Sequence, residues 1–153
     1  SLLGDLIKGI RKITDTRIAL ITNSSLLTEK NTRQEALLVD LIVPSLDAVT
    51  QKEFEKIDRP VKGVKIKKII ESLINFGKIF KGEMWLEVML VNGINDSPSY
   101  LKKIKKVSDS IRPDRVQLNI PVRLPAEDWV KPPSKKTLGT ARKIFGPGCD
   151  IVC

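Results

Sequence analysis

The chemistry in this sequence gathers where apolar runs give way to small polar side chains. Glu87 lies inside such a run, residues 84 to 91, whose alternation puts Trp85, Glu87, Met89 and Val91 on one face and Met84, Leu86, Val88 and Leu90 on the other. A carboxylate in mid-strand is costly to bury without a partner, so Glu87 is expected to meet a cation, a ligand amine or a hydroxyl. The plainer reading is a structural ion pair or a surface position at the strand end. Gln117 and Asn119 share one face of a second run, residues 116 to 120, and suit the edge of an adenine or a ribose, or else a ladder of amides that satisfies loop backbone. Ser45 and Asp47 end a third run on a single face, a pair able to hold a carboxylate, an amine or ribose hydroxyls, or to close a turn.

Other candidates are thinner. Asn23, Ser24 and Ser25 follow a short apolar run and can form a turn or face a ligand. The stretch from Asn92 to Asp96 reads as turn chemistry first. Arg123, set between prolines, is placed to meet an anionic substrate or only solvent. There is no histidine, which removes the usual proton shuttle at neutral pH and the commonest metal ligand, and so excludes a self-contained His-based hydrolase. Two cysteines, Cys149 and Cys153, are too few to close a metal site unaided, so no metal ligands are assigned.

These residues need elements to carry them. Leu2, Leu3, Leu6, Ile7, Ile10 and Ile13 are spaced as one face of a helix, with Lys8, Arg11 and Lys12 pointing away. Strands are expected over 18 to 21, 41 to 43, 84 to 91 and 116 to 120, and residues 150 to 153 are strand-like. Thr28 is expected to cap a brief helix running through Ala36 to Val39. Residues 48 to 63 are long, polar and carry Arg59-Pro60, which suits a loop over a site. Ile66, Ile69, Ile70, Leu73 and Ile74 mark a helix over 64 to 80, Ser97-Pro98 starts another, and Ser134 caps a last one ending near Gly146. Strand, loop and helix recur in order, so right-handed crossovers give parallel neighbouring strands with every polar strand end on one edge, the usual ligand edge of such sheets. At 153 residues the chain is read as one domain, 1 to 153, an α/β fold forming part of a (β/α)6 barrel.

Taken together and in order, the phrases TNSSLL (22 to 27), LIVPSLDA (41 to 48), LEVMLVNGIND (86 to 96) and VQLNIPVRLP (116 to 125) resemble the later strands of a radical SAM domain, most of all the archaeal and bacterial iron-sulfur oxidoreductases related to the wybutosine-synthesis enzyme. The resemblance implies a parent enzyme in which a [4Fe-4S] cluster reductively cleaves S-adenosylmethionine to a 5′-deoxyadenosyl radical. It implies that Asn23 and Ser24 end barrel strand three, that Ser45 and Asp47 end strand four where methionine and ribose are held, that Glu87 lies on strand five, and that Asn119 lies on strand six near the adenine. Gln117 and Arg123 are left to face substrate, for which kinship and charge suggest a tRNA. The family's CxxxCxxC loop and its glycine-glutamate-proline motif are absent from this sequence, and Cys149 and Cys153 lie at the wrong end to replace them. The chain is therefore expected to be the carboxyl-terminal portion of such a barrel, to hold no cluster and to be inert alone, with the edge at residues 17 to 22 open to a second copy.

Two other classes compete. A cluster-less nucleotide- or RNA-binding α/β domain draws on the net charge of +9, from 27 Lys and Arg against 18 Asp and Glu, although aromatic residues for base stacking make up only 5%. A phosphate-binding barrel fragment lacks the glycine-rich loop it would need. With no long apolar run and no signal-peptide pattern, a cytoplasmic protein without a membrane partner is expected.

Overall fold

A computed structural model describes residues 2 to 152. Its elements, in order, are α1 (Leu2–Arg11), β1 (Ala19–Thr22), α2 (Lys30–Ala36), β2 (Leu41–Pro44), α3 (Gln51–Ile57), α4 (Ile66–Ile79), β3 (Glu83–Met89), α5 (Pro98–Ile111), β4 (Arg115–Asn119), α6 (Lys135–Phe145) and β5 (Cys149–Val152). The strands form one parallel sheet in the order β1-β2-β3-β4-β5. That unbroken order, with a helix between each strand and the next, is the winding of a barrel wall rather than of a doubly wound sheet.

The alternation read from the sequence sorts the two faces. Met84, Leu86, Val88 and Leu90 are fully buried beneath the helices, against Ile69, Leu73 and Phe76 of α4 and Leu101 and Ile104 of α5. The opposite face, which includes Trp85, Glu87, Met89, Gln117 and Asn119, is only half-buried. It is the concave side of the partial barrel.

Side chains at the amino ends of the strands pin the wall. Asp40 accepts from Ile18 N–H at 2.6 Å and from Arg11 at 2.5 Å, and these two donors, the backbone one foremost, hold its carboxyl below the ordinary range. Asp114 accepts from Met84 N–H at 2.7 Å. On helix α4, Gly77 lets α5 approach closely: a Cβ there would stand 2.3 Å from the Ile111 carbonyl oxygen.

Ser97 and Ser134 cap α5 and α6 as expected, each accepting from the N–H three residues on. Two local expectations are corrected. Thr28 closes a 3-10 turn, Ser25–Thr28, by donating to Ser25 O at 2.8 Å, and Glu29 takes the cap position of α2. Residues 48 to 63 are not loop throughout, since α3 forms within them. Its two turns bury Phe54, and the Gln51 amide donates to Glu55 one turn on while its oxygen accepts the Ile66 N–H that opens α4. The outer edge of β1 has no strand partner among the described residues, and Ile21 on it is 74% exposed. No helix is long and apolar enough to cross a membrane among the described residues.

Candidate functional site

The carboxyl ends of β1 to β4 bring most of the candidate residues together. Parallel register sets Ser45 beside Glu87 through a lone bridge and sets Met89 beside Asn119. Ser45 Oγ donates to Glu87 Oε2 at 3.3 Å, and the Asn119 amide donates to Glu87 Oε1. Three strands thus contribute one hydroxyl, one carboxylate and one amide in a row on the concave face. Gln117 lies directly across from Glu87 on β4, half-buried on the same face. Both partners of Glu87 are neutral donors, and neither is a cation.

Asp47 follows the row. Its Oδ1 accepts the Met89 N–H at 2.6 Å, which fixes the carboxyl across the gap between β2 and β3. Asp58, just past α3, acts on the same carboxyl through its charge. Burial, and then the Asp58 charge, push the Asp47 carboxyl up to about 7 against the opposing pull of the Met89 N–H; burial raises Asp58 as well. Two carboxyls that each raise the cost of the other's charge hold on to a proton where free ones would have lost both.

Stability follows from that proton. Between pH 4 and 7 the folded pair binds more protons than the unfolded chain, whose carboxylates titrate near 4, so stability present below that window is lost as pH rises through it. No histidine titrates in the window, and Cys149 is pushed up to about 11, outside it. The urea midpoint is therefore expected to be lower at pH 8 than at pH 5, and Asp47→Asn, which keeps the acceptor for Met89 N–H, to flatten that slope. A pH-independent wild-type midpoint, or a slope that survives the substitution, would contradict the retained proton.

Asn95 latches the site. It is wholly buried, accepts the Val91 N–H at 2.7 Å, and donates to the carbonyls of Asp47 at 2.8 Å and Met89 at 2.7 Å. Ser24, buried with a left-handed φ of 67°, donates to the Ser45 carbonyl at 2.8 Å and ties the turn after β1 to the same edge. Asn23 spends its side-chain oxygen on the turn, accepting from Ser25 N–H and Ser25 Oγ. Its residue still borders a cavity of about 240 Å³ with Asp58 and Arg59. A larger cavity, about 440 Å³, opens beside the row between Met89, Asn119, Ile120, Val122, Val130 and the exposed Arg123.

The two long connections meet over this edge. Arg59, at a left-handed φ of 46°, pairs with Glu127 at 2.6 Å, and Lys56 stands 5.2 Å above the Trp129 ring. Sequence reasoning missed Asp58, Glu127 and the latch role of Asn95. Asp58 was accessible in principle, because in a helix it falls one turn beyond the apolar Phe54 and on the same face. Among the described residues no three His, Cys, Asp or Glu side chains gather to hold a metal ion. Cys153 lies outside the described residues.

The fold is the partial barrel found in domains of radical SAM enzymes. A domain of the pyruvate-formate lyase-activating enzyme from Bacteroides vulgatus superposes with a TM-score of 0.79 at 17% identity, over 99% of this chain and 90% of that one. A radical SAM methyltransferase from Sphaerobacter thermophilus superposes at 0.68, also at 17% identity, over 88% and 40% respectively. No protein-family model matches the chain. By sequence it is 41% identical over 149 residues to the GTPase Obg of Brachyspira hyodysenteriae, covering 97% of this chain and 22% of that protein. It is 34% identical over 131 residues to a UPF0026 protein of Methanocaldococcus jannaschii, covering 86% and 41%. The chain thus spans less than half the length of these curated relatives. It contains no Gly-x4-Gly-Lys-Ser/Thr phosphate loop.

Proposed function

We propose that this chain is the later-strand part of a radical SAM enzyme barrel and that its strand ends hold S-adenosylmethionine. The observation that carries the reading is the row Ser45, Glu87 and Asn119 with Asp47 beside it, all at strand carboxyl ends on the concave face of a radical SAM-like wall. The cavity next to Asn119 has mostly apolar walls, one amide and the Arg123 side chain at its border, a setting that suits an adenine ring. Ser45 and Asp47 offer a hydroxyl and a carboxyl to ribose and methionine groups, and Glu87 offers a charge to the amine. Asn23 and Ser24 border the same edge. Gln117 and Arg123 remain for the substrate, Arg123 suiting an anionic one. The kinship with wybutosine-type iron-sulfur oxidoreductases belongs to this reading and rests on the strand-end phrases alone.

The residues present do not fit a [4Fe-4S] cluster. It calls for thiolates, and the one described cysteine, Cys149, is buried and holds its proton far above neutrality. The part of the chemistry assigned to this chain is therefore to bind and orient the sulfonium compound. Calorimetry of S-adenosylhomocysteine against the chain should show binding that Asn119→Ala and Asp47→Ala weaken, with folding of both variants checked by circular dichroism. The full gene product that contains the chain, prepared anaerobically with iron, sulfide and dithionite, should release 5′-deoxyadenosine from S-adenosylmethionine. Binding without that product leaves a cluster-less nucleotide-binding domain; absence of both sinks the assignment.

A further inference from the structure

Charge is segregated in this molecule. Residues 64 to 153 carry 17 of the 27 Lys and Arg but only 9 of the 18 Asp and Glu, so eight of the nine net positive charges fall in that part. The structure concentrates them further. Helices α4, α5 and α6 pack side by side with their apolar faces on the sheet, which leaves their other faces as one outer wall. On that wall Lys102, Lys103 and Lys106 of α5 and Lys135, Lys136 and Lys143 of α6 are all exposed. Exposed Lys67 and Lys68 extend the wall along α4. The three helices carry only two carboxylates, Glu71 and Asp109, which face Lys67 at 3.9 Å and Lys105 at 2.5 Å.

We propose that this wall is a docking surface for the phosphodiester backbone of a nucleic acid, RNA in the first instance. Two helices of 14 residues run about 21 Å, and with a third alongside they span several phosphates. A lipid surface fits less well, since a helix that lies in a bilayer interface needs an apolar face, and the one large apolar residue exposed on these helices is Ile79 at the end of α4. A protein partner would want an apolar centre, whereas the apolar groove that borders the wall, about 770 Å³ between Val49, Ile66 and Ile70, opens on the α3 side of α4 and away from α5 and α6; interfaces with nucleic acid are polar and positive. The wall lies on the helices and the candidate site on the opposite, concave face, so the proposal stands or falls apart from the S-adenosylmethionine reading.

The test is fluorescence anisotropy of a labelled RNA hairpin with the chain over a range of NaCl concentrations. Binding should weaken steeply with salt. Lys102→Glu/Lys103→Glu/Lys106→Glu should weaken it by about tenfold or more and reduce the salt slope by about three, one for each phosphate contact removed. Lys135→Glu/Lys136→Glu/Lys143→Glu should do the same from a second helix. The exposed set Lys12→Glu/Lys30→Glu/Lys52→Glu makes an equal change in net charge away from the wall and should leave most of the affinity. Circular dichroism checks that each variant folds. Equal losses in all three variants would mean that net charge alone is at work and would overturn the proposal. So would salt-insensitive or absent binding of the hairpin, or capture by phosphatidylserine vesicles under conditions where the hairpin stays free.

Discussion

Replacing Asn95 by alanine is expected to lower the unfolding free energy by about 3 kcal/mol and to loosen the strand-end site with it. The side chain is wholly buried and satisfies one N–H and two carbonyls, those of Val91, Asp47 and Met89. Each buried backbone group left without a partner costs about 1–3 kcal/mol, and the space vacated by the amide gives those groups nothing else to meet. A domain with about 5–15 kcal/mol in hand feels a loss of that size. Asn95→Asp is no rescue: it keeps the acceptor for Val91 N–H but aims a carboxylate at two carbonyl oxygens. Urea unfolding reads the effect as a lower midpoint at unchanged slope. A loss under 1 kcal/mol would mean that the latch is ornamental.

Gly77→Ala is expected to destabilise although helix propensity argues the other way. Alanine in mid-helix gains about 1 kcal/mol over glycine. Here the added methyl would stand 2.3 Å from the Ile111 carbonyl oxygen, a backbone atom that no rotamer change can move aside. Overpacking of that kind costs about 1–3 kcal/mol and occasionally more, and a clash with backbone falls at the upper end, so after the propensity gain a net loss of about 2 kcal/mol is expected, a fall of about 4–8 °C in Tm for a chain of this size. Gly139 on α6 supplies the contrast, since a Cβ there meets nothing within 4 Å. Gly139→Ala should raise Tm, and a Gly77→Ala chain that shared the rise would refute the close approach of α4 and α5.

Much of this architecture could be read from residue order. Alternation in residues 84 to 91 separates the faces of β3 because a period of two is hard to mistake when one face is wholly apolar, and Ser97-Pro98 and Ser134 announce helix starts through their own hydrogen-bonding chemistry. The row Ser45, Glu87 and Asn119 was nameable residue by residue, but not as a row, since adjacency across strands depends on register. Helix α3 escaped because a two-turn helix that buries Phe54 alone has no apolar stripe to reveal it. Asn95 escaped because a turn sequence looks the same whether its amide faces water or bridges two strands. Gly77 could not be told from a tolerated mid-helix glycine until the distance to α5 was known. Local rules report what a residue does to its own segment; they are silent on what it does for a segment forty residues away.

The pairing of Arg59 with Glu127 ties together connections that belong to different strands, one leaving β2 and one leaving β4. As an exposed ion pair it adds little to stability, under about 1 kcal/mol. Its meaning is modular. In barrels of this kind selectivity is rewritten by exchanging the connections at the strand ends. Here Arg59 needs its acid and Lys56 needs its ring, so a graft of either connection alone arrives without its counterpart. An engineer retargeting this scaffold should move residues 48 to 63 and 121 to 133 as a matched set.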